Sequence, residues 1–277
     1  MKLKNMTFLS ATLLSMAISI ASCESLDGDN SDFDFESGTK RESPARLPNS
    51  CRLATYNVHR CSPAGTNNAN YNNVAQAITL LDADVVALQE LDRNTRLFPT
   101  DQLGELASRT GMHPVFCKTI NYGGGEYGIG MLCREQPLKT DFRELPGVET
   151  RRFLVAEFED YVYICTHLCV SSEDNRVWSF DIINDYVAQN YGDSSKPVYI
   201  AGDMNTTVLP SNATDRWTVI STSTPTFPSS SKRIDYILVY RGNAAACSVL
   251  RTMVPNFEDF RLSDVSDHLP VIVDLSK

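Results

Sequence analysis

Positive charge is scarce in this chain: 25 lysines and arginines stand against 34 aspartates and glutamates over 277 residues. A polypeptide that acidic gains little from releasing counterions on a nucleic-acid duplex. No basic, aromatic-interleaved stretch marks a dedicated nucleic-acid surface either. Any phosphate-bearing ligand must therefore be held locally, by a metal ion or a few arginines. Long apolar runs are missing beyond the first residues, which excludes a bundle of membrane-spanning helices. There is no repeat of fixed period and no Pro- or Gly-rich break, so one large α/β domain is expected.

What is present begins with a targeting pattern. Lys2 and Lys4 precede MTFLSATLLSMAISIAS, an apolar stretch that ends in small residues and is shorter than the ~20 residues of a spanning helix. IASC at 20–23 resembles the lipobox of bacterial lipoproteins. The resemblance implies a signal peptide over 1–22 and a lipidated Cys23 that ties the protein to a membrane. The expectation is an exported protein on the outer membrane or cell surface of a Gram-negative-type bacterium. Residues 23–49 are polar and acidic with almost no aliphatic side chains, the composition of a tether. Residues 50–277 then hold the folded domain. Of eight cysteines, seven remain after Cys23, and an odd number leaves at least one thiol unpaired within the chain. Their scattered spacing reads as buried small apolar residues rather than a disulfide framework.

From Cys51 onward short apolar runs alternate with helical patterns. RLATYNV, ADVVALQE, YGIGMLCR, RFLVAEF, YVYICTHL, PVYIAGDM, RIDYILVY, CSVLRTM and LPVIVDL read as strands. Helical spacing covers 71–81, 101–110 and 175–191, the last with Val177, Trp178, Phe180, Ile183 and Val187 toward the core. Several strands follow one another directly, so mixed sheets are expected.

Polar residues close several of these strands: Asn57 after ATY, Glu90 after DVVALQ, His167 after YVYICT, Asp203 and Asn205 in GDMN. Burial accounts for the residues before them but not for a repeated amide, carboxylate or imidazole at the end. In α/β sheets the carboxyl ends of strands are where ligands bind. Asp267 and His268 stand just before the last strand, and Asp235 sits inside RIDYI. A carboxylate buried there is costly unless paired, and His268 is the natural partner.

TYNVHR, LQELD, YGIGML, CTHL, GDMN, RIDYIL and SDHLPV stand in the order found in the endonuclease/exonuclease/phosphatase (DNase I-like) superfamily, which the chain resembles from about Arg52 to Leu275. The resemblance implies a four-layer α/β sandwich of two mixed sheets face to face with helices outside. It also implies hydrolysis of a phosphoester with Mg²⁺, Mn²⁺ or Ca²⁺. Carried over, Glu90 is the metal ligand, helped by Asn57 and Asp267. His268 is the catalytic histidine, oriented by Asp235. Asp203 and Asn205 position the nucleophilic water and the phosphate, with Asp203 or His268 taking the proton. His167 is a second phosphate-side histidine, and Glu126 its partner near the substrate.

Arg93, Arg96, Arg151, Arg152, Arg176 and Arg233 lie near motif segments where an anionic substrate is expected. Arg176, at the start of a helix after the His167 strand, and Arg233, beside Asp235, are the best placed of them. His113 precedes Pro114 and reads as a loop residue, and His59 as a cleft-lining or a surface one. GGGEYG at 123–128 reads as a flexible rim or a hairpin turn. Cys165, His167 and Cys169 alternate, which raises a zinc reading, but one strand does not wrap a tetrahedral ion alone. The resulting expectation is a lipid-anchored, metal-dependent phosphoesterase acting as a monomer, with no protein partner implied. A sphingomyelinase-like or inositol-phosphate hydrolase stands beside a nuclease, and an inactive binding protein that keeps the fold is the reading of a different class.

Overall fold

The structure, a computed structural model, describes residues 45–277. The expected signal peptide, the lipidated Cys23 and nearly all of the tether lie outside those residues. In chain order the elements are β1 (Ser50–Asn57), α1 (Tyr71–Leu81), β2 (Val85–Arg93), α2 (Gln102–Thr110), β3 (His113–Tyr122), β4 (Gly125–Cys133), β5 (Lys139–Leu145), β6 (Arg151–Glu157), β7 (Val162–His167), α3 (Glu173–Tyr191), β8 (Val198–Asp203), α4 (Ser211–Thr214), β9 (Trp217–Val219), β10 (Asp235–Tyr240), β11 (Val249–Met253) and β12 (Val271–Ser276).

The strands form two six-stranded mixed sheets, ordered β11-β12-β1-β2-β4-β3 and β5-β6-β7-β8-β10-β9. Each holds one parallel pair at its centre, β1 with β2 and β7 with β8. Antiparallel strands flank both pairs: β12 beside β1, β10 beside β8. Alternation along the strands builds the layers. Leu53, Val85, Ala87, Met131, Tyr163, Ala201, Ile237 and Val273 meet between the sheets. The opposite parity, including Ala54, Tyr56, Val86, Leu88 and Ile272, packs under α1 and α2 through Ile78, Leu81, Leu103 and Leu106. On the other sheet Val155, Ile164, Ile200 and Leu238 pack under α3 through Phe180, Ile183 and Val187. This is the expected four-layer sandwich.

Local chemistry sets the helix starts. The side chains of Asn70, Asp101 and Ser172 accept the N–H of Asn73, Gly104 and Asn175, satisfying first-turn donors. The cap at Ser172 starts α3 two residues before the sequence reading, with Glu173 and Asp174 favourably placed in its first turn. Trp178, expected toward the core, is instead 55% exposed. His113 opens β3 and is not a loop residue. β5, KTDFREL, has no apolar run to announce it, because charged side chains protect an edge strand from pairing further. The GGGEYG segment is a hairpin turn, with Gly123 and Gly124 at positive φ between β3 and β4. All seven cysteines of the described domain are free thiols, five of them buried. Among the described residues no helix is long and apolar enough to cross a membrane.

Candidate active site

The topology brings the polar strand ends to one edge. Parallel pairing puts Asn57 at the end of β1 beside Gln89 of β2, and His167 at the end of β7 opposite Asp203 at the end of β8. Antiparallel pairing sets Asp235, the first residue of β10, directly across from Asp203. It also returns the segment before β12, with Asp267 and His268, to the end of β1. Ser266 fastens that segment: its hydroxyl donates to Asn57 O at 2.7 Å and accepts His268 N–H at 3.3 Å.

Glu90 reaches the cleft through a β-bulge. The β2–β4 register passes from Leu88↔Gly130 to Leu91↔Gly128, so β2 carries one extra residue. Leu88 and Leu91 both bury on the helical side, while Gln89 points between the sheets, bonded to Thr55 and Cys165. Glu90 lies between them with φ +60°. In a regular strand it would share the face of Leu88, but in the bulge its carboxylate accepts Asn57 Nδ2 at 3.0 Å. Asp203 depends on a glycine for a comparable reason. Gly202 has φ +150°, and a Cβ there would lie 1.9 Å from Thr166 O on the neighbouring strand.

Asp203 is the hub. Its Oδ1 accepts Asn205 N–H at 2.8 Å, and its Oδ2 accepts Asn57 Nδ2 at 3.2 Å. The same Oδ2 lies 3.5 Å from His167 Nε2 and 3.6 Å from His268 Nε2. His268 Nδ1 is 2.8 Å from Asp235 Oδ2. Burial pulls the His268 imidazole down, but the Asp235 charge and hydrogen bond more than reverse this and raise it to about 9. His167 goes the opposite way. Burial, then the charges of Arg151 and His268, hold it well below the usual histidine range. Burial and the neighbouring Asp235 charge raise the Asp203 carboxyl.

These groups face a cleft of about 690 Å³ whose lining includes Glu90, His167, Asp203, Asn205, Asp267 and His268. Asn57 and Asp235 lie behind that lining, against Glu90 and His268. Three residues singled out in the sequence do not come to the cleft. Arg176 donates to the carbonyls of Cys169 and Val170. Arg233 stacks over the Tyr236 ring, 4.5 Å from its centroid, and donates to Thr222 O. Glu126 pairs with Lys118 and Arg93 on the outer hairpin, so it is not the partner of His167. The cations in the lining are Arg151 and Lys232. His59 lies outside it, with its ring bonded to Ser62 O. Cys165 is buried against Gln89 and Cys169 against Asn175, and neither joins His167 in a metal-type cluster among the described residues.

Sequence reasoning missed Thr226 and Phe227, and it ranked Arg151 below Arg176 and Arg233. Thr226 Oγ1 accepts the N–H of Ile234 and Asp235, and its carbonyl accepts Leu269 N–H. Phe227 lies against the His268 ring at 4.8 Å between centroids. TFPSSSKRIDY carried the only signal, a turn-rich segment before the Asp235 strand.

The donor set suits a hard divalent cation. Glu90 and Asp267 turn carboxylates to the cleft, and neither has a cationic side chain within ion-pair distance among the described residues. Oxygen donors with uncompensated negative charge fit Mg²⁺ or a similar ion. Asn57 would ligate through Oδ1, the atom that here accepts His59 N–H at 3.1 Å. Asp203, Asp235 and His268 form a second group, with ligand atoms within 4.8 Å of one another, but the shortest contact in it joins Asp235 to His268.

No curated protein matches the sequence. Solved structures share its fold. An endonuclease/exonuclease/phosphatase from Beutenbergia cavernae DSM 12333 aligns with a TM-score of 0.67 at 22% identity, over 82% of this chain and 72% of its own. A mannosyl-6-phosphatase of Bacteroides thetaiotaomicron VPI-5482 aligns at 0.63 and 18% identity, over 82% and 99%. The catalytic domain of human Nocturnin, with bound sulfate, aligns at 0.61 and 15% identity, over 82% and 93%. A family model is more specific than these folds: it matches residues 54–268, from within β1 through the cleft histidine, and on that match the chain belongs to the Endonuclease/Exonuclease/phosphatase family.

Proposed function

We propose that the protein is a divalent-metal-dependent phosphoesterase whose reaction centre is the cleft around Asp203. The family and the phosphatase among its structural neighbours support a hydrolase of phosphoester bonds. One observation carries the finer reading: Asp235 is hydrogen-bonded to His268, whose Nε2 faces Asp203 Oδ2 at 3.6 Å, and Glu90 is joined to the same Asp203 through Asn57.

In this reading Glu90 and Asp267, with Asn57, hold the cation. When bound, it supplies positive charge against the phosphoryl oxygens. Asp203 accepts the proton of the attacking water. Its Oδ1 is fixed by the Asn205 backbone, which leaves Oδ2 turned toward both imidazoles. His268 has its Nδ1 committed to Asp235, so Nε2 is the atom available to the reacting group. Asn205 and His167 offer donors to the phosphoryl oxygens.

The test is a panel of p-nitrophenyl phosphate, bis-p-nitrophenyl phosphate, mannose 6-phosphate, sphingomyelin, inositol phosphates and plasmid DNA, each with Mg²⁺ and with EDTA. Turnover of at least one member, lost in EDTA and in Glu90→Ala, is expected. A His268→Ala protein indistinguishable from wild type on every member would favour an inactive binding protein instead.

We also infer export and anchoring through a lipid on Cys23, a reading that rests on residues 1–23 alone. Detergent-phase partitioning of the full chain, lost in Cys23→Ala, is the expected result, and an aqueous wild-type protein would remove it.

A further inference from the structure

We propose that Arg151 is a positioning residue that fixes His167 in the tautomer with its proton on Nε2, making it an obligate hydrogen-bond donor toward the phosphoryl site. The proposal rests on the reading of the cleft as a phosphoester site, and it gives that site an element the Glu126 expectation did not contain.

The contact forms where both strands reach the sheet edge. Phe153 of β6 lies opposite Thr166 of β7, so Arg151, the first residue of β6, stands level with the end of β7, and its side chain turns to His167 there. The Arg151 side chain is almost wholly buried yet belongs to the cleft lining. One end of its guanidinium, Nη1, is 3.3 Å from His167 Nδ1, and the other, Nη2, is 2.8 Å from Glu149 Oε1. Among the described residues Nε is buried without a partner, so these two polar contacts orient the group.

A guanidinium has only donors. His167 Nδ1 must therefore accept, and a neutral imidazole that accepts at Nδ1 carries its hydrogen on Nε2. Nε2 is the atom that faces Asp203 Oδ2 at 3.5 Å. The two cleft histidines thus turn the same atom to the same carboxylate under opposite instructions. An anion, Asp235, takes the Nδ1 hydrogen of His268, while a cation, Arg151, gives one to His167. A carboxylate in place of Arg151 would turn His167 toward the role of His268. An arginine leaves it no lone pair for the cleft, only a donor. Glu149, from the loop before β6, keeps the guanidinium from following a bound phosphate away from the imidazole.

The experiment is long-range ¹H–¹⁵N correlation on the ¹⁵N-labelled full chain, with His167→Asn to assign the signal. Wild type is expected to show His167 as the pure Nε2–H tautomer at neutral pH. An Nδ1–H tautomer, a mixture or an imidazolium pattern would overturn the proposal, and this holds whether or not any phosphoester is turned over. Arg151→Met is expected to show mixed tautomers. Its kcat for p-nitrophenyl phosphate with Mg²⁺ should fall on the order of 100-fold, as for a misplaced reacting group, with KM nearly unchanged. Glu149→Gln should move both readouts the same way by less. An Arg151→Met protein with an unaltered His167 spectrum and a raised KM would mean that the guanidinium grips the substrate itself, and the proposal would fall. Should that variant not fold, the wild-type spectrum decides.

Discussion

Asn57 donates its side-chain amide to Glu90 Oε1 at 3.0 Å across the parallel β1–β2 pair, and the contact exists only where the Glu90 backbone takes φ +60°. A side chain other than glycine costs about 1 kcal/mol in that region. The strain therefore sits on a residue proposed to hold the metal. Glu90→Ala and Glu90→Gly should both lose metal-dependent turnover by about 100-fold or more. They should differ in stability, the glycine variant being firmer by about 1 kcal/mol in urea unfolding. Equal midpoints would show that the bulge is unstrained.

Asp235 has a narrower task. One carboxylate oxygen holds His268 Nδ1 at 2.8 Å, and the other is buried without a partner among the described residues. Asparagine keeps the shape but removes the charge that holds His268 up at about 9. In metal-free Asp235→Asn the His268 titration, followed by NMR, should move down from that value toward the ordinary histidine range. Turnover should fall by about 1,000-fold or more, as when a histidine loses its orienting carboxylate. An unmoved titration would mean that Asp235 does not set the state of His268.

Much of this was legible in the sequence because the strands announce themselves. Leu53 to Asn57 and Val198 to Asp203 are buried throughout, and such runs end in a polar residue for a reason other than packing. Helix α1 begins and ends where its spacing predicts, at Tyr71 and Leu81. Edge strands β3 and β5 were harder, since residues protecting an edge resemble loop residues. The arginines show the limit more clearly. Arg233 is one residue from Ile234, which lines the cleft, and two from Asp235, yet it precedes β10 and its guanidinium stacks on Tyr236. Arg151, one of six arginines near motif segments, is one strand away from His167 in space. Nearness along the chain ranked the wrong cations first, and only the folded contact identifies the right one. The bulge at Glu90 is equally silent, because one inserted residue changes facing without changing composition.

Thr226 ties together two segments that carry opposite members of the histidine–aspartate pair. Its hydroxyl oxygen lies 3.2 Å from the backbone nitrogens of both Ile234 and Asp235, and its carbonyl accepts Leu269 N–H at 2.7 Å. Thr226→Val fills the same space but leaves two N–H groups without their acceptor. The cost should be about 1–3 kcal/mol in chemical denaturation, with kcat lowered more than KM. Thr226→Ser restores the acceptor and should recover both. A valine variant with full stability would show that water or a backbone shift replaces the hydroxyl.

Far from the cleft, acid sensitivity should trace to Asp274. Its carboxylate receives Arg52 Nε at 2.6 Å and Arg251 Nη2 at 2.7 Å, and the Arg52 side chain is fully buried. Burial alone would raise the carboxyl, but bonds from the two arginines overcome it and hold the group below its usual value. A carboxylate depressed in the folded state adds stability that is complete above its unfolded value, near 3.8. That increment is lost as pH falls through the lower folded value. Wild-type thermal stability should accordingly drop on acidification below about pH 4, the ordinary carboxylate range. Asp274→Asn should be weaker at neutral pH by about 3 kcal/mol, because the buried Arg52 loses the charge of the carboxylate it pairs with, and its acid slope should be shallower than that of wild type. Parallel acid slopes for the two proteins would place the sensitivity on other carboxylates, Asp203 excluded, since burial raises rather than lowers that group and its protonation in acid would relieve the fold instead of loosening it.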